Sequence, residues 1–141
     1  MSISNFIIGL SQQLGRPDPG PSPIGENLTI ALATDAGKGW EQMARFFLHE
    51  NNAYGTWQAQ DDVATPYHSV DDIEQLRATG RYRVMTPEEF IVDLEAAPFP
   101  FAFLHPLCGG MPPDLAWSSL RLFENEVLPA FRLAAGASGQ E

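Results

Sequence analysis

What the chain has little of sets the first limits. Cys108 is its single cysteine, so no intramolecular disulfide can form, which fits a reducing compartment such as the cytoplasm. Basic residues are scarce: 8 Lys and Arg stand against 18 Asp and Glu, for a net charge of −10. Nucleic acid and anionic membrane surfaces select basic faces, so neither is expected as a partner. No apolar run approaches the ~20 residues of a membrane span. No Lys or Arg precedes the first apolar residues, which argues against a secretory signal. The phosphate-cradling patterns G-x-G-x-x-G and G-x-x-x-x-G-K are both missing. The three histidines, His49, His68 and His105, are scattered without metal-ligand spacing, so no metal is expected.

What is present reads as a folded α/β chain. Apolar residues make up 44% and charged residues 18%, the balance of a globular protein rather than a disordered one. A length of 141 residues implies one domain, taken as 1–135 with a frayed tail over 136–141. Phe6, Ile7, Leu10 and Leu14 recur at helical spacing, and the Pro-rich stretch 16–25 that follows is a loop or hinge. Residues 28–34 form a short apolar run, the mark of a strand buried on both sides. Trp40, Met43, Ala44, Phe47 and Leu48 lie on one helical face, and that helix is expected to fray near 51–55, with Gly55 as its left-handed cap. The polar stretch 58–68 reads as a loop. A capping-box-like start at 69–72 opens a short helix ended by Gly80.

Tyr82 to Met85 is a second strand candidate, and Thr86-Pro87-Glu88-Glu89 is a strong helix start: N-cap, Pro at the first position, Glu at the third. Residues 100–104 are unbroken in apolar character and form a third strand. A last helix begins near Asp114 and carries Ala116, Leu120, Phe123, Val127 and Phe131 on one stripe, loosened near its end by Pro129. Alternating apolar strands and amphipathic helices imply parallel pairing.

Ligands of parallel α/β proteins sit beyond the carboxyl ends of strands. That directs attention to 35–39, to the turn at Thr86, and to 105–110. His105 follows a strand directly and is a candidate acid/base or hydrogen-bonding group; otherwise it caps the strand. Gly109 and Gly110 allow backbone to approach a ligand, or simply permit a tight turn. Cys108 is a nucleophile or, more simply, a small buried packing residue. Arg83 beside the Thr86 helix start makes an anion site, or a salt bridge with the abundant carboxylates. The pairs Asp61-Asp62, Asp71-Asp72 and Glu88-Glu89 are solvated charges rather than a catalytic dyad.

These strings also carry a resemblance. Trp40-Glu41, the stretch His49-Glu50-Asn51-Asn52-Ala53-Tyr54, and Tyr82 to Glu89 are similar to segments of luciferase-like flavin-dependent monooxygenases. The run from His105 to Leu120, continuing through Leu122-Phe123 and Val127-Leu128-Pro129, is the most specific part. The resemblance as a whole runs over roughly Phe6 to Arg132 and covers only the family's C-terminal part. The resemblance implies a partial (β/α)8 (TIM-type) barrel, about three parallel strands with flanking helices, from an architecture of roughly 250 residues. It implies reduced flavin mononucleotide (FMN), or a deazaflavin, as cofactor and oxygenation of a small organic substrate. It places His105 at the catalytic position, Cys108, Gly109 and Gly110 along the cofactor site, and Arg83 and Thr86 near a phosphate or substrate. Met85 departs from the pattern, since many relatives have glycine before the Ser/Thr-Pro turn. Three strands cannot close a barrel, so a homo-oligomer or a partner chain is expected to complete it. The alternatives are a non-catalytic flavin-binding or association module, and an inactive truncated product.

Overall fold

Two short strands, half of whose residues are β-branched or aromatic, pair side by side at the centre of the computed structural model, which describes residues 14–15, 28–60, 67–97 and 104–131. They are β1 (Thr29–Leu32) and β2 (Tyr82–Met85), parallel, with Thr29 opposite Tyr82 and Leu32 opposite Met85. Leu104 bridges Ile30 in parallel on the other edge of β1. It is the only described residue of the expected strand 100–104; 100–103 lie outside the described residues, as do the helix expected before Leu14, the loop at 16–25 and the tail at 136–141.

The helices are α1 (Ala36–Gln60), α2 (Ile73–Ala78), α3 (Pro87–Ala96) and α4 (Pro113–Leu122), and a 3₁₀ turn spans Cys108–Gly110. α4 runs on through a π-helical turn, Phe123–Val127, in which the Leu128 N–H reaches the Phe123 carbonyl. Pro129 follows two residues later. It has no N–H to offer Asn125 and its ring crowds that carbonyl, so the wider turn accommodates it. The loosening expected at Pro129 therefore appears one turn upstream.

Strand alternation sends side chains to two cores. On one face Ala31 and Tyr82 pack with Trp40, Met43, Ala44 and Phe47 of α1, with Leu76 of α2, and with Cys108 and Met111. On the other, Leu32 packs with Phe90 and Leu94 of α3 and with Val127. A (β/α)8 barrel keeps all its helices on one face of the sheet. Here both faces of the described strand pair carry helices, the arrangement of an open α/β sheet. The mixed α/β class with parallel strands stands.

Three local readings are corrected. α1 does not fray at 51–55 but continues to Gln60, taking 58–60 from the expected loop. Gly55 lies inside the helix, where a Cβ would come within 2.8 Å of the Ser69 nitrogen, so its role is to let the 67–70 segment close over α1. Asn51 and Asn52 hold that segment down: Asn51 donates to the His68 carbonyl at 2.8 Å, and Asn52 both donates to the Val70 carbonyl and accepts from its N–H, each at 2.9 Å. Those tertiary bonds prolong the helix past its polar stretch. The N-cap of α2 is Asp72, whose carboxylate accepts from the Gln75 N–H at 2.8 Å, three residues later than the capping box read from Ser69.

The start of α3 follows its sequence signature. Thr86 Oγ1 accepts from the Glu89 N–H at 3.3 Å, and Glu89 Oε2 accepts from the Thr86 N–H at 2.9 Å. Thr86→Ala should lower stability by about 1 kcal/mol, seen as a lower urea midpoint that Thr86→Ser restores. At the carboxyl end of β1, the Leu32 N–H faces the Leu104 edge and donates to Ser119 Oγ of α4 at 2.8 Å. A hydroxyl thus ends the ladder where a further strand residue would otherwise accept.

Candidate functional site

The richest grouping of reactive side chains forms where the turn after Leu104 meets the middle of α1. Two tight backbone bonds fold the turn: the Cys108 N–H donates to the His105 carbonyl at 3.2 Å, and the Gly110 N–H to Leu107 at 3.2 Å. Gly109 then sits at φ 60° with its α-carbon against the Phe46 backbone; a Cβ there would lie 2.7 Å from the Phe46 carbonyl carbon and closer still to its oxygen. Only glycine fits both the left-handed conformation and the approach.

This seating brings Glu50, one helical turn beyond Phe46, over the turn. Glu50 is buried, 8% exposed, and its Oε2 accepts from the Gly109 N–H at 3.1 Å. The same oxygen lies 3.6 Å from His105 Nδ1. Cys108 is fully buried between them, and the donor atoms of Glu50, His105 and Cys108 all lie within 4.8 Å of one another. Tyr82, stacked on Phe47 at 5.2 Å, points its hydroxyl into the same core, where it has no hydrogen-bond partner among the described residues. Burial pushes the Cys108 thiol far above its ordinary value, helped by its hydrogen bond to Glu50 and by the carboxylate's charge. Burial raises the Tyr82 phenol likewise, with the Glu50 and Cys108 charges adding to it.

A buried thiol held protonated is a poor nucleophile, so the packing reading of Cys108 prevails over the nucleophilic one. In the native chain a thiol reagent should modify Cys108 only as fast as the protein opens, with full and rapid labelling in urea. Fast labelling of the folded chain would contradict the burial.

His105, Cys108, Gly109 and Gly110 are therefore brought together, whereas Arg83 and Thr86 take no part in the cluster. Arg83 is exposed and pairs with Asp93 of α3 at 3.4 Å, the salt bridge weighed against an anion site. Such exposed pairs contribute little. Thr86 uses its N–H and its acceptor oxygen in the α3 cap. His49 is exposed on α1, and His68 offers its carbonyl, not its ring, to Asn51.

The chain matches no family model, no curated protein and no solved structure. Its chemistry must be read from its own atoms. Reduced FMN needs donors for its phosphate, and the residues expected to hold it have few to give. The N–H groups of Cys108, Gly109, Gly110 and Met111 all donate within the turn or to Glu50. With Arg83 on Asp93 and Thr86 in its cap, these residues do not fit a phosphate, and no flavin step follows from them. What the sequence reading missed was Glu50 and Tyr82. The His105-x-x-Cys108 spacing, which weighing the histidines alone passes over, could have signalled the cluster; Glu50 stands 59 residues from its partner Gly109 and gives no such signal.

Proposed function

We propose that this chain is the C-terminal part of a luciferase-like flavin-dependent monooxygenase, working with further strands that supply the flavin contacts its own residues lack. One observation carries the reading. Two strings of the resemblance, 49–54 and the most specific run 105–120, lie far apart in sequence, yet they interlock: Glu50 accepts from Gly109 and faces His105, while Asn51 and Asn52 hold the next loop. Strings that matter for one fold should support one another in this way. Oxygenation by reduced flavin requires a site closed to water, which a two-stranded sheet does not build. The activity therefore belongs to the assembled protein, with a homo-oligomer or a partner chain completing the sheet. Completion as a (β/α)8 barrel requires α3 and α4 to leave the strand face they cover here.

The test mixes the purified chain with a chain carrying the N-terminal strands of a luciferase-like monooxygenase. Co-elution, quenching of flavin fluorescence and oxygen consumption with reduced FMN are expected of the mixture and not of the chain alone. If the two remain separate and flavin fluorescence does not move, the reading fails. Repeating the titration with a deazaflavin decides between the cofactors.

A second reading, a non-catalytic binding module, is favoured by a different feature. A cleft of about 350 Å³ opens at the carboxyl end of β1, lined by Thr34, Gln42, Ser118, Arg121 and Asn125 among others. That is where open α/β sheets hold ligands. Flavin binding by the chain alone, without oxygen consumption, would select this reading.

A further inference from the structure

We propose that Glu50, His105 and Cys108 form a binding site for one divalent transition-metal ion, Zn²⁺ by the character of its donors. The inference does not depend on the flavin reading, although both draw on Glu50, His105 and Cys108. A carboxylate oxygen, an imidazole nitrogen and a thiol sulfur converge within 4.8 Å, which is the mixed donor set that zinc accepts. The 3.6 Å between Glu50 Oε2 and His105 Nδ1 is only slightly longer than the edge of about 3.3–3.5 Å that oxygen and nitrogen ligands make around a tetrahedral zinc with bonds of about 2.0–2.1 Å. The remaining closure, from separations of at most 4.8 Å, falls to side-chain rotation at Cys108 and His105 rather than to the seated turn backbone.

The surroundings fit such a centre. The Gly109 N–H holds Glu50 in place, the outer hydrogen bond that ligating carboxylates usually have. His105 is the half-exposed member and Cys108 the fully buried one, so an ion enters from the His105 side and leaves a fourth position for water. On binding, the sulfur–metal bond forms as the thiol proton leaves to solvent, so the buried sulfur becomes a compensated thiolate. Sequence distance also matters, because Glu50 belongs to α1 and the other two ligands to the turn. The ion would clamp these two segments together.

The experiment uses the full, untagged, reduced and chelator-stripped chain. Cobalt(II) is titrated first and then displaced with zinc. The expected result is one ion per chain, a near-ultraviolet sulfur-to-cobalt charge-transfer band, and visible bands of tetrahedral strength, all lost on adding zinc. His105→Ala, a change at a half-exposed side chain, should weaken binding by about tenfold or more while circular dichroism stays unchanged. Cys108→Ser should remove the charge-transfer band; because that position is buried, His105→Ala remains the deciding variant. Cobalt bound without the charge-transfer band, or zinc affinity indifferent to His105→Ala, would place the ion on surface carboxylates and overturn the proposal.

Discussion

Gly109→Ala should destabilise the chain by about 2–5 kcal/mol, a large part of the roughly 5–15 kcal/mol that holds most domains folded. Two costs combine. At φ 60° an alanine is strained by about 1–2 kcal/mol relative to glycine. Its Cβ would also overlap the Phe46 carbonyl group, and neither that backbone, inside α1, nor the turn can yield without moving the other. Forced shifts of this kind cost about 1–3 kcal/mol more. The displaced turn would release the Gly109–Glu50 bond as well. Gly110→Ala isolates the first cost, since Gly110 has φ 78° but open space around it. Urea unfolding of both variants reads the difference directly. If Gly109→Ala unfolds no earlier than Gly110→Ala, the turn is not seated on α1 as described.

Phe47→Ala should cost about 3–5 kcal/mol. Phe47 has no exposed surface and joins the α1 face of the sheet through two rings, Tyr82 at 5.2 Å and Trp40 at 5.9 Å. Its removal takes away burial, the packing of both rings, and the contact that holds α1 over β2. Ring pairs add about 0.5–1.5 kcal/mol beyond area alone. Trp117, more than half exposed on α4, serves as the control: Trp117→Ala should stay within about 0.5 kcal/mol of the parent. Thermal unfolding followed by near-ultraviolet circular dichroism measures both, and the Phe47 variant should also lose aromatic signal before the transition. Equal effects from the two substitutions would mean that the core on this face is not where the stability resides.

Local signals in the sequence were reliable where the local chain decides the outcome. Thr86-Pro87-Glu88-Glu89 became the capped start of α3 because every partner of that cap lies within three residues. Tyr82 to Met85 became β2 with the bounds its apolar residues suggested, and the stripe of Trp40, Met43, Ala44 and Phe47 became the buried face of α1. Arg83 found the carboxylate that the excess of acids made the simple expectation.

Signals failed where distant residues intervene. Gly55 is a cap by local rule, but Asn51 and Asn52 bind the 68–70 backbone and carry α1 through it. The alternation of strands and helices gives the α/β class, but alternation on β1 sends Ala31 and Leu32 to two cores, and which helices fill them is a tertiary matter. No local signal places the carboxylate of Glu50 over the turn at 105–110.

By itself, then, the sequence determined the α/β class, the strand and helix positions that caps and periodicity fix, and an acidic chain that cannot form an intramolecular disulfide. Only the tertiary structure decided that both faces of the strand pair are covered and that Glu50, His105 and Cys108 meet. The reason is physical: periodicity and caps act over a few residues, whereas that meeting depends on Gly109 touching Phe46, a contact between segments more than sixty residues apart.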